Sequence, residues 1–508
     1  MATVAPVTDW PDVLNADTWF LRDRLDDSAG KVALRLDDRN VTYAEVDAAA
    51  STSARSLIES GVAPGDRVLL VLGDGLEFVA SFFGALRIGA VVVMVNPGLT
   101  REALAGILNR ATAPAAVVAA EFEEHFDDAV RSSDSSTRAI EPAVAWGSSS
   151  REDVESYHAG PNDPAVWLFS GGTTGAPKAV PQTHRSLVNT TRLYGQQTLG
   201  LTSEDITISV PKLYFGYATG SNLLFPFSVG ASTVLFDAHP TPEALFERIE
   251  RHRPTVMVHV PSAINQMVSH PAAPQRDLSS LRLATSAGEA LPETLYDRWK
   301  ETFGVELLDG LGTAEMWHIF VSNRPGQVRP GTLGKVVPGF EIKACDEDGE
   351  MVPPGEVGRL WVRGESLGLG YHGDPERTAE AFRDDWFVGG DLVSIDEDGY
   401  VTHRGRADDA IKVKGKWFRP QEVESALLEH EGVKEVAVVA VTDEAGLAKP
   451  VAFVVAGGRE VSETDLIEWA LERMEAYKHP RSIYFVERLP QTHLGKVDRS
   501  ALKQMADI

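Results

Sequence analysis

The chain has almost no cysteine: Cys345 stands alone in 508 residues, so neither an intrachain disulfide nor a thiolate metal cluster can form. Its charged surroundings do not mark it as a nucleophile, and a reducing compartment is expected. Positive charge is scarce as well, with 48 Lys and Arg against 74 Asp and Glu for a formal net charge of −26. Nucleic acid and anionic membranes both require a basic face, so neither is an expected partner. A polyanionic ligand must then find its positive charge locally. Long hydrophobic runs are missing too. The most apolar window, Phe78 to Val95, is broken by Gly84, Arg87 and Gly89, whereas a spanning helix needs about 20 predominantly apolar residues. It reads as a helix followed by a strand. The N-terminal stretch has neither a basic n-region nor an apolar h-region, so no secretion signal is expected and the protein is placed in the cytoplasm.

What is present is an ordinary globular balance, 43% hydrophobic and 24% charged, in a chain long enough for two or more domains. Residues 30–110 alternate like an α/β layer: Val32–Leu36 as a strand, Thr42-Tyr-Ala-Glu45 as a capping box opening a helix, then Val68–Leu72, a helix near 75–88 and the buried strand Ala90–Val95. Such alternation favours parallel sheet covered on both faces. Residues 131–151 are Ser-rich and read as a surface connection. Strands and helices alternate again from 200 to 330, with Thr233–Phe236, a helix from Pro242 to Arg251 and the strand Thr255–Val260. Between 333 and 403, Gly and Asp turns separate short apolar pieces such as Gly358–Val362, the pattern of a β-rich subdomain. The fold class is thus α/β, with an N-terminal domain over 1–405 and a compact α+β domain over 406–508. The boundary falls at 405–409.

The most informative stretch is Ser170-Gly171-Gly172-Thr173-Thr174-Gly175-Ala-Pro-Lys178, which follows the apolar run Val166–Phe169 and reads as a loop leaving a buried strand. Its glycines let the backbone point N–H groups inward, the hydroxyls of Ser170, Thr173 and Thr174 add donors, and Lys178 adds a cation. That chemistry suits phosphate. It is not the common nucleotide-triphosphate motif, since Ala179 rather than Ser or Thr follows the lysine.

This loop resembles the phosphate loop of the adenylate-forming superfamily of acyl-CoA synthetases, adenylation domains and luciferases. Six further segments match that superfamily's motifs in order: Val210-Pro-Lys-Leu-Tyr-Phe-Gly-Tyr217, Ser286-Ala-Gly-Glu-Ala-Leu-Pro292, Asp309-Gly-Leu-Gly-Thr-Ala-Glu315, Gly389-Gly-Asp391, Gly405-Arg-Ala-Asp-Asp-Ala-Ile-Lys412 with Gly415, and Pro490-Gln-Thr-His-Leu-Gly-Lys496. The resemblance implies a large domain of parallel-rich sheets with a β-rich subdomain, a small mobile C-terminal domain, and the cofactors ATP, Mg²⁺ and coenzyme A. It implies that Glu315 holds Mg²⁺, that Thr313 touches the α-phosphate, and that Lys496 bridges the attacking carboxylate and that phosphate. Gly288, Glu289 and Ala290, with Asp309, Gly310, Leu311 and Gly312, match the segments around adenine. Asp391 matches the acceptor of the ribose hydroxyls, Arg406 an arginine that reaches ribose or phosphate, Asp408 the hinge, and Gly415 the thiol tunnel.

Amino-acid adenylating relatives carry an Asp after the aromatic of the Val210–Tyr217 segment, where it pairs with an ammonium. Here Phe215 follows Tyr214, so no ammonium is expected. Tyr214, Phe215, Gly216 and Tyr217, with Trp317, His318 and Ile319, resemble the benzoate-CoA ligase branch, in which the equivalent residues wall a short planar pocket. His318 can bond a ring hydroxyl or satisfy a backbone carbonyl, and His259 is a weaker candidate for the same task. The resemblance implies an ATP-dependent aryl-CoA ligase acting on benzoate or a hydroxybenzoate. The alternative is a stand-alone adenylating enzyme that loads an aryl carrier protein. The partners are then an aryl carboxylic acid and CoA or a carrier protein in trans, the protein itself being a monomer or homodimer. An idle nucleotide-binding scaffold fits less well because Glu315, Asp391, Arg406 and Lys496 are all present, while a luciferase-like monooxygenase shares the motifs and is disposed of by absence of light with any acyl-adenylate.

Overall fold

The computed structural model describes residues 9–143, 153–172, 175–407, 411–413, 416–418, 420–442, 448–457, 461–490 and 497–506. They pack as two compact units, the first built from Met1–Gly172, Ala176–Ile342 and Val362–Phe387, the second chiefly from Lys343–Trp361 and Val388–Ile508. Contacts thus assign part of the β-rich stretch before 405 to the second unit, because β pairing there continues through Val401–Arg406.

Numbered along the chain, the strands begin with β1 (Val32–Arg35), β2 (Asn40–Thr42), β3 (Arg67–Val71), β4 (Val91–Met94), β5 (Ala115–Val118), β6 (Arg138–Ile140), β7 (Pro164–Gly172) and β8 (Gly175–Thr183). They continue as β9 (Ile206–Ser209), β10 (Ser232–Val234), β11 (Val256–His259), β12 (Leu283–Ser286), β13 (Leu307–Gly312), β14 (Ile319–Ser322) and β15 (Lys335–Val336). One sheet has the order β6-β5-β3-β4-β7-β8 and is parallel from β6 to β7. The other, β15-β14-β13-β12-β11-β9-β10-β1-β2, is parallel from β13 to β1 and antiparallel at its edges. The continuous apolar runs explain the choice: every residue of β4 and β5 is buried, as a strand covered on both faces requires.

Local signals act as the sequence indicates. Thr42 N–H donates to Glu45 Oε2 at 2.7 Å and Glu45 N–H returns to Thr42 Oγ1 at 3.3 Å, opening the helix Tyr43–Glu59. The apolar window resolves into the helix Leu76–Arg87 and β4. Among the described residues no helix is long and apolar enough to cross a membrane. Two local readings change. The stretch expected to be a loop at Ser170–Lys178 is strand apart from Thr173 and Thr174, which lie outside the described residues: β7 runs on through Gly172 and β8 starts at Gly175 beside it. Within 131–151, Arg138–Ile140 joins the sheet edge as β6, since Thr137 Oγ1 bonds the Ala113 carbonyl at 2.8 Å and leads the chain alongside β5.

Beyond these come β16 (Glu341–Cys345), β17 (Val357–Arg363), β18 (Phe382–Arg383), β19 (Trp386–Ile395) and β20 (Val401–Arg406), in the order β16-β17-β19-β18 with β20 also on β19. A two-stranded sheet of β21 (Ile411–Val413) and β22 (Lys416–Phe418) precedes a three-stranded one of β23 (Val433–Thr442), β24 (Ala448–Ala456) and β25 (Ser482–Phe485). Successive residues of β23 serve opposite layers: Val436 and Val438 pack with helices Pro420–Leu428 and Glu463–Arg473, Ala437 and Val439 with Leu502 of helix Arg499–Ala506. This is the α+β unit expected near the C-terminus.

One buried ion cluster ties the first unit together. Arg87, wholly buried, donates from Nε and Nη2 to Asp17 at 3.0 and 2.9 Å, from Nη1 to Ser51 Oγ at 2.6 Å and from Nη2 to Asp47 at 2.5 Å. Burial pushes the Asp17 carboxyl up while the Arg87 charge and bonds pull it down. Removing the arginine strands a buried carboxylate, so Arg87→Met should cost about 3–5 kcal/mol in urea unfolding. Adding Asp17→Asn should return about 1–2 kcal/mol of that loss; identical losses in the two variants would mean that packing, not stranded charge, sets the cost.

Candidate active site

Three expected segments leave the carboxyl ends of strands in the nine-stranded sheet: Tyr214–Tyr217 follows β9, Gly288–Ala290 follows β12, and Asp309–Gly312 ends β13. That rim is where α/β sheets hold ligands, because the strand ends are rigid and the loops beyond them are free to vary.

Glu315 is the fixed point. β13 and β14 pair antiparallel, with Gly310 opposite Ser322 and Gly312 opposite Ile319. A β-carbon at Gly312 would lie 2.5 Å from the His318 carbonyl oxygen, so glycine lets the strands close beneath the turn Ala314–Met316. Outside partners hold that turn: Gln182 Nε2 donates to the Ala314 carbonyl at 2.7 Å and Gly368 N–H to the Glu315 carbonyl at 2.8 Å. The buried Glu315 carboxylate accepts the Tyr371 hydroxyl at 2.8 Å, and Lys178 Nζ stands 4.7 Å from the centroid of the same ring. Tyr371 thus bears the carboxylate on its hydroxyl and the lysine of β8 over its ring. Thr313 Oγ1 is buried and has no hydrogen-bond partner among the described residues, a hydroxyl left over for a ligand.

The chain reverses at Trp317, which has φ 66 and ψ −54 with His318 N–H bonded to the Met316 carbonyl at 2.8 Å. This is a γ-turn of the rare, strained hand, which persists only where packing on all sides dictates it; Trp317 is 2% exposed. The turn delivers His318 into a nest of rings, 5.7 Å from Tyr194, 5.3 Å from Tyr217 and 4.8 Å from Phe225. Its Nε2 lies 2.9 Å from the Tyr217 carbonyl and 3.1 Å from Ser221 Oγ. A carbonyl can only accept, so Nε2 carries the proton and Nδ1, buried and without a partner among the described residues, is a bare acceptor. Burial pushes the imidazole down to about 4, against the pull of the Tyr217 carbonyl, and the ring is neutral at physiological pH. The backbone role is therefore filled, while Nδ1 still has the chemistry for a ring hydroxyl. Gly220 is needed here, since a β-carbon would meet His318 Cδ2 at 2.4 Å.

The turn Tyr214–Tyr217 is half-buried. Tyr214 and Phe215 stack edge to face at 4.7 Å, Gly216 packs against Leu168, and the Tyr217 hydroxyl pairs with Thr285 Oγ1 at 2.7 Å. Ile319 is buried in β14. Asp309 is buried, and desolvation raises its carboxyl well above the usual range against the Ser286 hydroxyl and Gly310 N–H. Glu289 accepts Ser262 N–H at 3.1 Å and Oγ at 3.3 Å, at the start of helix Pro261–Ser269. His259 has both ring nitrogens engaged in the core, by Val260 N–H and Met267 Sδ, which ends its candidacy for a substrate hydroxyl.

In the second unit, Asp391 and Arg406 stand opposite each other on β19 and β20, with Arg406 Nη1 3.5 Å and His403 Nε2 3.2 Å from Asp391 Oδ1. Thr173, Thr174, Asp408, Gly415 and Lys496 lie outside the described residues. Reading by sequence missed Tyr371, Gln182 and Gly220.

A lysine and a carboxylate set on one tyrosine have the chemistry to offer positive charge to a phosphate and an oxygen ligand to its counter-ion; the class is that of the adenylate-forming enzymes. A family model for the AMP-binding enzyme matches residues 21–372 and one for the AMP-binding enzyme C-terminal domain matches residues 422–496. The chain belongs to the AMP-binding enzyme family and is an AMP-forming acid–thiol ligase. It is 39% identical to a benzoate–CoA ligase of Thauera aromatica, over 98% of this chain and 97% of that one. A 3-hydroxybenzoate–CoA/4-hydroxybenzoate–CoA ligase of Thauera aromatica is 34% identical, over 94% of each. The crystal structure of the anthranilate CoA ligase AuaEII in complex with anthranoyl-AMP superposes with a TM-score of 0.91 at 36% identity, covering 98% of both chains.

Proposed function

We propose that this ligase activates benzoate or a hydroxybenzoate in two steps on one site, in the cytoplasm. The acid's carboxylate attacks the α-phosphorus of ATP, the bond to pyrophosphate breaks, and an aryl-AMP anhydride forms. The thiol of coenzyme A then attacks the carbonyl as a thiolate, and AMP leaves with the electron pair. The observation that supports this reading is the bond from His318 to the Tyr217 carbonyl, which locks the half-buried aromatic turn onto the segment that carries Glu315. In this proposal acid and nucleotide lie side by side on these two segments.

In this scheme Lys178 and the N–H groups of Gly171, Gly172 and Gly175 face the β- and γ-phosphates, and the Thr313 hydroxyl faces the α-phosphate. Glu315 fits Mg²⁺, which prefers one or two carboxylates together with substrate phosphates; among the described residues no larger cluster of metal ligands exists. The ion would neutralise phosphate charge as the P–O bond breaks. Asp391 and Arg406 serve the ribose, and Lys496 the carboxylate and α-phosphate. Tyr214, Phe215 and Ile319 wall the ring.

Pyrophosphate release across benzoate, hydroxybenzoates, octanoate and phenylalanine, with and without CoA, tests the proposal. The benzoates should give the highest kcat/KM, with CoA required for thioester but not for a first turnover of pyrophosphate. Octanoate as the best substrate would remove the aryl assignment. Transfer to a phosphopantetheinylated carrier in preference to CoA would move the enzyme to carrier loading.

A further inference from the structure

The turn that walls the acid pocket is held from outside the pocket. Leu213, beside Tyr214, donates its N–H to Oδ1 of buried Asp74 at 2.7 Å, a bond between residues 139 apart in sequence. Asp74 lies between β3 and the helix Leu76–Arg87, so this bond joins the six-stranded sheet to the turn after β9 in the nine-stranded one. The carbonyl of Leu213 is held as well, by the Thr219 hydroxyl, and Phe215 N–H closes the turn onto the Lys212 carbonyl at 2.9 Å.

Lys212 gives the carboxylate its counter-charge. Nearly buried, it donates to the carbonyls of Phe236 and Ala238, the latter at 3.0 Å, and sits 3.9 Å from the centre of the Phe236 ring. Arg248 lies 4.4 Å from the same ring and bonds Asp37. Asp237 completes the cluster, and Gly73 admits it: a β-carbon at 73 would stand 2.0 Å from Asp237 Oδ1. Burial lifts the Asp74 carboxyl to about 7, the Lys212 charge and Leu213 N–H opposing and Asp237 adding to the rise. A carboxylate desolvated at this cost and placed at a backbone N–H of the acid wall has a task the wall depends on.

We propose that Asp74, supported by Lys212, is a positioning residue of the acid pocket, fixing the turn Lys212–Tyr217 and so the fit of the aryl acid. This rests on the ligase reading above. The test uses Asp74→Ala and Asp74→Asn in the full-length enzyme, with steady-state kinetics and amide hydrogen exchange of the peptide that contains Leu213. Asp74→Ala should raise KM for benzoate about tenfold, the scale of one lost buried hydrogen bond, with KM for ATP changed by less than about twofold. It should also speed exchange at Leu213. Asp74→Asn, whose side-chain oxygen can accept the same N–H, should restore both. Equal rises in the two KM values, unchanged exchange in Asp74→Ala, or an Asn variant no better than Ala would each overturn the proposal. Should the wild type turn over no aryl acid, the functional reading fails by itself and the exchange measurement still decides the role of Asp74.

Discussion

Glu315→Gln is expected to slow aryl-dependent pyrophosphate release by about 10²–10³-fold, the scale for removing one preorganised charge from a site where phosphate charge moves. The substitution isolates that charge. A glutamine oxygen can still accept the Tyr371 hydroxyl, which the carboxylate accepts at 2.8 Å, and the Gly368 N–H bond to the 315 carbonyl belongs to the backbone. The fold of the turn therefore survives while the proposed ligand for Mg²⁺ weakens, and the Mg²⁺ concentration for half-maximal rate should rise. Tyr371→Phe makes the opposite change: the carboxylate keeps its charge and loses one buried bond, worth about 0.5–1.5 kcal/mol or roughly tenfold in rate at most. If Glu315→Gln proves no worse than Tyr371→Phe, Glu315 is an acceptor that shapes the turn, and the cation must be held elsewhere.

That contrast also marks what sequence could reveal. Glu315 and Lys178 stand in stretches whose glycines and hydroxyls carry their chemistry in a few consecutive residues. Tyr371, 56 residues beyond Glu315, has nothing beside it to say that its hydroxyl reaches a carboxylate; only the folded chain sets it there. Asp74 is hidden for the same reason, in an ordinary Gly-Asp-Gly turn whose partner is a distant backbone N–H. Period and composition located β3, β4 and the helix between them within about a residue of their observed ends, because burial on both faces writes itself as unbroken apolar runs. The Ser170–Lys178 segment misled in shape. Gly and Thr read as loop, yet β7 and β8 extend almost to the Thr173–Thr174 pair, since neighbours in a sheet can impose extended backbone on residues with little preference for it. His318 was open between two roles until the carbonyl of Tyr217 fixed which nitrogen bears the proton.

Lys496→Ala should slow formation of the aryl-adenylate by about 10²–10³-fold yet leave transfer to CoA from supplied aryl-AMP nearly intact. An attacking carboxylate and an α-phosphate are both anions, and a cation between them is required only while the new bond forms. In the second half the thiol must reach the same carbonyl from a side that a lysine so placed would obstruct. We propose that one site performs both steps because the segment bearing Lys496 withdraws and another, bearing Gly415, takes its place. We assign the pivot to Asp408, next to the strand β20 that ends at Arg406. Asp408→Pro, which fixes φ near −65°, should accordingly spare adenylation and slow thioester formation, the reverse of the lysine variant. Single-turnover measurements of each half-reaction separate these outcomes, and a lysine variant that loses both halves in equal measure would make Lys496 a structural residue and leave the exchange of segments without support.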